Sequence, residues 1–349
     1  MQLKSDLIYQ EVLARIKEGF WKPGEQIFSE RQLSNLFGVS RVTVRNAISQ
    51  LVGEGILEYR EGRSGTFVVE TAEFGPNPDA RVVGIALDNY TPAFASYLLE
   101  GLHDALWKHN IHTLYCNTHS NHEEVPRKIA SFIEEGVVGL IYSPLLCAGS
   151  NRYDEEVFAL AKGAGVPLVQ LDRSVSGAPF SCVQCDNSRA MYEMMGRLEA
   201  AGVSHPLVLV GIDTSSTEER VAGIDRWADE GNHSYGVLLI DEPAYYEDGT
   251  VRLLKEEPQW EQYDAIVGVN QVLSKVAVRL KDLHSLAVLT GGINASPLEV
   301  NNDYSVIQPL YHIGYSAALL LIQHLQVPST PRTSVWVQAS QWPNGSPLR

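Results

Sequence analysis

The sequence predicts an α/β protein in two parts: a short helix-turn-helix unit with a hairpin wing, then a long body of two parallel-sheet lobes. Three observations carry this. Two amphipathic helical stretches, separated by Gly38 and spanning roughly residues 29–54, are followed by a strand-turn-strand pattern that ends near residue 69. From Arg81 onward, short apolar runs alternate with helical stretches, the pattern of a parallel sheet covered by helices on both faces. Near residue 187 that alternation restarts, which implies two similar halves with a crevice where a small ligand can sit.

The first unit is built in order as follows. Residues 5–19 read as a helix with Ile8, Tyr9, Val12, Leu13 and Ile16 turned inward. Ser29-Glu30-Arg31-Gln32 has capping-box spacing and opens a short helix carrying Leu33, Leu36 and Phe37, which Gly38 ends. Ser40 can cap the next helix through its hydroxyl. Val44, Ala47, Ile48 and Leu51 form the inward stripe of that helix, whereas Arg41, Val42, Arg45, Asn46 and Ser49 point outward. Two arginines therefore stand on the exposed N-terminal end of the second helix, where a recognition helix carries base-reading side chains. After Gly55, residues 56–59 and 66–69 read as strands joined by a turn at 61–65, a wing whose tip holds Arg63 and Ser64. An amphipathic helix has polar residues outside whatever its role, so this pattern alone leaves function open.

The combination is more specific. Pro23-Gly24, Ser29-Glu30-Arg31, Gly38-Val39-Ser40-Arg41, Thr43-Val44-Arg45, Leu51, Gly55 and Gly65-Thr66-Phe67-Val68 together resemble the winged helix of the GntR family of transcription regulators over about residues 3–70. The resemblance implies that Arg41 and Arg45 read bases and that Arg31 and Thr43 hold phosphates. It also places Ser40, Val42, Gly62, Arg63, Ser64 and Gly65 at the DNA surface, with a wing-tip glycine beside the minor groove. Phe28 stands where the family usually has proline, and the tip Gly62-Arg63-Ser64-Gly65 is one residue longer than the common form.

Composition fits an ordinary globular chain of two or three domains: 349 residues, 44% hydrophobic and 20% charged. No apolar run reaches membrane-spanning length and the first residues are no signal peptide, so a cytoplasmic protein with no membrane partner is expected. Net charge is −15, but residues 1–70 hold nine basic and nine acidic side chains, so the entire excess lies in the body. Phosphate repels such a body, leaving the first unit as the DNA contact. Solubility alone would also account for the charge. The four cysteines (Cys116, Cys147, Cys182, Cys185) are scattered; Cys182 and Cys185 have CxxC spacing but lie in an apparent strand, pointing to opposite faces. No metal or cofactor is expected.

Gly75, Pro76 and Pro78 mark residues 71–80 as a linker. The body then reads as strands at 82–87, 111–116, 137–142, 166–171 and 181–185, with helices at 93–109, 122–135 and 153–164. The second half reads as strands at 206–212, 236–240, 265–269, 285–290 and 304–307, with helices at 187–201, 218–230, 247–256 and 271–282. A helix at 311–325 and a strand at 333–337 close the chain. The domains expected are 1–70 for DNA, 71–80 as linker, and 81–345 for effector binding and dimerisation.

A second resemblance rests on Thr91-Pro92-Ala93-Phe94, Leu171-Asp172-Arg173, Asp186-Asn187, Glu219-Arg220 with Gly223, Gly249 after Tyr245-Tyr246, Val269-Asn270, 292–298 and Gln308-Pro309. Their order is similar to that of the LacI/GalR effector domain, which shares the periplasmic-binding-protein fold. A GntR-type head on a LacI-type sensor resembles arabinose-repressor-type regulators. The resemblance implies an effector site of Phe94, Asp172, Arg173, Asp186, Arg220, Tyr245, Tyr246, Asn270 and Asn294. Asn294 and Gln271 stand where the family usually has aspartate. Asp172 and Asp186 could instead cap the segments that follow them, Phe94 could be core, and Asp213, Glu218 or Glu219 could neutralise Arg220.

The resulting expectation is a ligand-responsive repressor, a homodimer that reads a pseudo-palindromic operator in double-stranded DNA and answers to a carbohydrate-like effector. A cleft for a non-sugar metabolite, or a co-repressor site, is the alternative. An enzyme is not expected: no P-loop, GxSxG, HExxH or strand-borne GxGxxG occurs, and the histidines show no metal spacing.

Overall fold

The computed structural model describes residues 4–17, 19–60, 65–69, 81–87, 92–118, 121–145, 152–211, 214–243, 249–254, 256–296, 298 and 301–342. The expected wing-tip residues Gly62, Arg63 and Ser64, the linker 71–80, and Tyr245 and Tyr246 lie outside these. The chain divides into two units, Met1–Ala80 and Arg81–Arg349.

In the first unit, helices α1 (Lys4–Lys17), α2 (Glu30–Phe37) and α3 (Arg41–Gly53) pack around Ile8, Val12, Ile16, Leu33, Val44, Ile48 and Leu51. The caps are those the spacing predicts. Ser29 Oγ accepts from the Gln32 amide while Gln32 Oε1 accepts from the Ser29 amide, so two orphan donors at the start of α2 are satisfied. Gly38 ends α2 in the left-handed conformation at φ 63°, which glycine adopts without steric cost. Ser40 Oγ accepts from the Thr43 amide at 3.2 Å and starts α3. Strands β1 (Leu57–Tyr59) and β2 (Thr66–Val68) pair antiparallel and form the wing.

The second unit holds two six-stranded sheets. Lobe 1 contains β3 (Arg81–Leu87), β4 (Ile111–Asn117), β5 (Gly139–Tyr142), β6 (Leu168–Leu171), β7 (Ser181–Cys185) and β13 (Ser334–Val337), in the spatial order β13-β7-β6-β5-β3-β4, all parallel. Helices α4 (Pro92–Trp107), α5 (Val125–Glu134) and α6 (Arg152–Ala164) belong to it. Lobe 2 contains β8 (Pro206–Val210), β9 (Gly236–Leu239), β10 (Ala265–Gly268), β11 (Leu289–Asn294), β12 (Tyr304–Ile307) and β14 (Ser340–Trp342), ordered β14-β12-β11-β10-β8-β9. Its helices are α7 (Asn187–Ala200), α8 (Ser215–Gly231) and α9 (Gln271–Leu283). Helix α10 (Leu310–Gln326) returns to pack on α4 and on β5, β6 and β7. The chain thus crosses between lobes three times: after β7, after β12, and between β13 and β14.

Two glycines let α4 and α10 touch: a Cβ on Gly101 would lie 2.0 Å from the Tyr311 carbonyl oxygen, and one on Gly314 2.2 Å from that of Leu98. Three sequence expectations need correction. Residues 249–254, expected within a helix, are not helical; Leu253 instead makes an antiparallel bridge to Ile240, and Leu254 N–H donates to Leu239 O, so the segment covers the end of β9. The strand expected at 285–290 begins at Leu289 and runs to Asn294. The antiparallel strand β14 has no counterpart among the expected elements.

Candidate DNA-reading face and ligand crevice

In the first unit Arg31, Arg41, Val42 and Arg45 are exposed, and Thr43, half-buried, bonds the Ser40 hydroxyl at 2.8 Å. The two arginines differ. Arg45 forms a two-point pair with Glu30, the first residue of α2: Nε donates to Oε1 at 3.0 Å and Nη2 to Oε2 at 2.8 Å. That hydrogen bond holds the Glu30 carboxyl below its ordinary value. Arg41 makes no hydrogen bond or ion pair among the described residues. Glu30 is thus a residue of this face that the sequence pattern assigns only to the capping box. Gly65 sits at φ 123°, and a Cβ there would strike the Gln26 side chain, so the described edge of the wing requires glycine.

In the second unit, the expected ligand residues collect at one end of both sheets. Asp172 follows β6, Asp186 follows β7, Asn270 lies two residues past β10, Asn294 ends β11, and Gln308 follows β12. The carboxyl ends of parallel strands are where open α/β sheets bind ligands, because loops there can vary while helix N-termini converge. Asp172 is a non-glycine residue at φ 65° and only 4% exposed. Backbone of that kind costs on the order of 1 kcal/mol and is concentrated at functional sites. It places the Arg173 amide on the Leu171 carbonyl and the Arg173 guanidinium on the Pro144 carbonyl at 3.4 Å.

Arg220, near the start of α8, is 5% exposed and is the centre of a buried hydrogen-bond cluster. Nε donates to Asn187 Oδ1 at 2.8 Å, Nη1 to the Val269 carbonyl at 3.1 Å, and Nη2 to Gln308 Oε1 at 3.1 Å. Its hydrogen-bond acceptors among the described residues are therefore neutral. Burial pulls the guanidinium below its ordinary value, and the charge of Asp172 opposes that. Glu219, one of the proposed neutralising partners, instead accepts from Gln184 Nε2 at 2.6 Å and Asn187 Nδ2 at 2.9 Å, and burial raises its carboxyl. Arg220 reaches these groups because α8 lies close on the start of α7: a Cβ on Gly223 would fall 2.1 Å from the Ser188 carbonyl oxygen.

The remaining expected residues divide. Phe94 is 7% exposed and part of the hydrophobic core. Asp186 caps α7, accepting from the Arg189 amide at 3.3 Å. Asn270 caps α9 through the Leu273 amide, and its Nδ2 donates to both oxygens of Glu242 at 3.1 Å. Glu242, a buried carboxylate just beyond β9, is absent from the expected site; the strand-end rule applied to 236–240 would have found it. Asn294 is buried, with Nδ2 donating to Ser305 Oγ at 3.0 Å, so its amide braces β11 against β12. Gln271 is buried as well.

A cavity of about 220 Å³ opens at the lobe junction, lined by Tyr97 of lobe 1 and by Ser296 and Gln308, so Gln308 touches both the cavity and Arg220. A larger apolar groove, about 760 Å³, runs between α5 and α6 and holds none of the strand-end residues. Burial pushes the Cys182 and Cys185 thiols up to about 12, as in inert structural cysteines.

The sequence of the second unit matches, over residues 80–296, the family of periplasmic binding proteins and sugar-binding domains of the LacI family. The chain belongs to that family. Residues 4–68 match the bacterial regulatory proteins of the gntR family, so a GntR-type head precedes a LacI-type body. The arabinose metabolism transcriptional repressor of Geobacillus stearothermophilus is 27% identical over 197 residues, 55% of this chain and 52% of that one. Its counterpart in Halalkalibacterium halodurans is 32% identical over 177 residues, 49% of this chain and 46% of the relative. The match thus spans about half the length of these curated relatives. The LacI family transcriptional regulator of Enterococcus faecium, solved with bound ribose, has the same body fold: TM-score 0.60, 18% identity, 75% of this chain and 96% of that one. Among the described residues, no helix is long and apolar enough to cross a membrane.

Proposed function

We propose that the chain is a ligand-responsive repressor of a carbohydrate-utilisation operon, with α3 reading operator DNA and the crevice of the second unit binding a small polyhydroxylated effector. The observation that carries this is Arg220, a buried guanidinium held by neutral oxygens where two of the three crossing segments and the end of β10 meet. A group so placed feels any change in lobe angle, and hydroxyl groups can replace neutral acceptors without adding charge. Asp172, Arg173 and Asp186 stand at the same strand ends, Asn270 brings Glu242 with it, and Tyr245 and Tyr246 are carried as effector contacts on the family resemblance alone.

The proposed working form is a homodimer on a pseudo-palindrome. Support comes from β4, an edge strand of lobe 1 whose residues Leu114 and Tyr115 are exposed, with Trp107 exposed just before it. An apolar sheet edge of this kind invites pairing. Replacing Leu114 with Asp is expected to shift the sedimentation coefficient from dimer to monomer; an unchanged coefficient would place self-association elsewhere.

The test of function is a thermal-shift screen of the full chain against free pentoses, hexoses, uronic acids, disaccharides and sugar phosphates, followed by operator release in a gel-shift assay. A ligand at 100 times its Kd adds about 2.7 kcal/mol to the domain it binds. One sugar that both stabilises the protein and releases DNA supports the proposal. A sugar that stabilises the protein and tightens DNA binding would make the crevice a co-repressor site. A blank across the panel would turn the reading toward a non-sugar metabolite, in line with the commitment of Asn294 to Ser305.

A further inference from the structure

Among the described residues, three side-chain hydrogen bonds pass directly from lobe 1 to lobe 2. Tyr97 Oη meets Ser296 Oγ at 3.4 Å, and the Ser174 amide donates to Ser215 Oγ at 3.2 Å. The third is much the shortest: Gln184 Nε2, on β7 of lobe 1, donates to Glu219 Oε1, on α8 of lobe 2, at 2.6 Å. It also continues inward. Glu219 Oε2 accepts from Asn187 at the first crossing, Asn187 Oδ1 accepts from Arg220, and Arg220 reaches Gln308 at the second crossing. Gln184, Asn187, Arg220 and Gln308 are all buried, so water competes poorly for these bonds.

We infer that Gln184 and Glu219 form a latch that holds the lobes together before an effector arrives, with Glu219 acting as a positioning residue that fixes Arg220 through Asn187. This rests on the reading of the crevice as an effector site but assigns the lobe angle to groups a ligand need not touch. The polarity of the chain is defined throughout. Gln184 and Asn187 each turn an amide N–H toward the carboxylate, and Asn187 then presents its remaining oxygen to Arg220. Glu219 Oε2 and the Arg220 guanidinium favour the same Asn187 orientation, the first accepting from Nδ2 and the second donating to Oδ1, so each side of the amide fixes the other.

That polarity yields a rescue experiment. Gln184→Glu places a second carboxylate where the donor stood and turns attraction into repulsion, since like charges at contact disfavour each other strongly. Adding Glu219→Gln restores both bonds: the new amide N–H donates to the carboxylate introduced at position 184, and its oxygen accepts from Asn187. Lobe separation is read by electron-electron spin distance in the full-length chain, with nitroxides on Glu124→Cys of lobe 1 and Lys275→Cys of lobe 2, both exposed, and with Cys116 and Cys147 replaced by serine. Without any sugar, Gln184→Glu is expected to lengthen and broaden the distance distribution, and the double variant to return it to the parent's. Gln184→Ala, which removes the donor without adding charge, is the second variant and is expected to broaden the distribution. A parent-like distribution in both single variants, or a double variant that stays as open as Gln184→Glu, overturns the latch. The readout needs no effector, so a crevice that binds none of the screened sugars would sink the sugar reading and leave this result standing.

Discussion

Glu30→Ala isolates what the Arg45–Glu30 pair does for DNA reading. Glu30 occupies the Nε–Nη2 side of the guanidinium and leaves the Nη1–Nη2 end open. A guanine edge needs two parallel N–H donors, and that open end supplies them. The carboxylate therefore orients Arg45 without blocking it, and its loss should cost only the orientation. The side chains of Arg45 and Glu30 are 61% and 31% exposed, and pairs in that setting are worth about 0.2–1 kcal/mol. Glu30→Ala is thus expected to weaken operator binding by roughly 1.5- to 5-fold. Arg45→Ala should cost about 1–3 kcal/mol and relax selectivity at one base pair. Affinity for random DNA should not fall in Glu30→Ala, because a carboxylate facing phosphate is removed along with the pair. The assay is fluorescence anisotropy with operator and scrambled duplexes at fixed salt, completed as a double-mutant cycle. In Arg45→Ala, the further change Glu30→Ala should have no additional effect on selectivity. Additive losses, or sharper selectivity in Glu30→Ala, would refute the orienting role.

Other expectations concern the second unit. Gly223→Ala should drive α8 off α7 and cost about 1–3 kcal/mol of unfolding free energy in urea melts, the usual range for overpacking; an unchanged midpoint would contradict the contact with Ser188. Asp172→Gly relieves the left-handed backbone but also removes the charge that favours the buried Arg220 guanidinium, and it should abolish the effector-induced thermal shift. Retention of the full shift would remove Asp172 from the site. His324 meets Ser181 Oγ at 2.8 Å, and burial lowers its pKa from 6.5. The unfolded chain then binds a proton that the folded chain refuses, so stability falls as pH drops from about 6.5 through the lowered value. Urea melts at pH 7.5 and 5.5 should differ less in His324→Gln than in the parent, and equal differences would refute this.

How much of the structure is legible in the sequence depends on how local its causes are. Ser29, Gln32, Gly38 and Ser40 act on backbone within a few residues, so the caps and the helix-turn-helix follow from spacing. The strand at 289–294 is expected four residues early, and it contains Gly291 and Gly292, residues that weaken a strand pattern. Sheet packing requires them: a Cβ on Gly292 would lie 2.2 Å from Ser274 Oγ on α9. Ser285, strand-like by pattern, is at φ 51°, and the Leu286 amide returns to the Lys281 carbonyl, closing the helix instead. The apolar spacing around Leu253 permits a helix, but the backbone bonds of this segment go to β9, a tertiary choice no local window contains. In the site, residue types at the strand ends are legible and their partners are not. Arg220 and Gln308 lie 88 residues apart, and that neutral acceptors, not one of the nearby acidic side chains, bond the guanidinium depends on how close Gly223 lets α8 approach.

The energetic scale of the latch explains why a regulator would carry one. A hydrogen bond to a charged group contributes about 1.5–3 kcal/mol, a factor of roughly 10 to 150 in a two-state equilibrium. Coupling energies between allosteric sites fall in much the same range, about 1–3 kcal/mol. A bond of that size between Gln184 and Glu219 biases the lobes without locking them, so an effector with modest preference for either lobe angle can still move the population. Without it, an effector favouring closed lobes would lose affinity by the fraction of molecules already closed. Because Arg220 is bonded to two of the three crossing segments and Glu219 to lobe 1, a ligand bound at Arg220, as proposed, would share one set of hydrogen bonds with the lobe angle. On the proposed reading, ligand binding in the crevice and rotation of the lobes are a single event, and the strength of that coupling is set by side chains that need not touch the ligand.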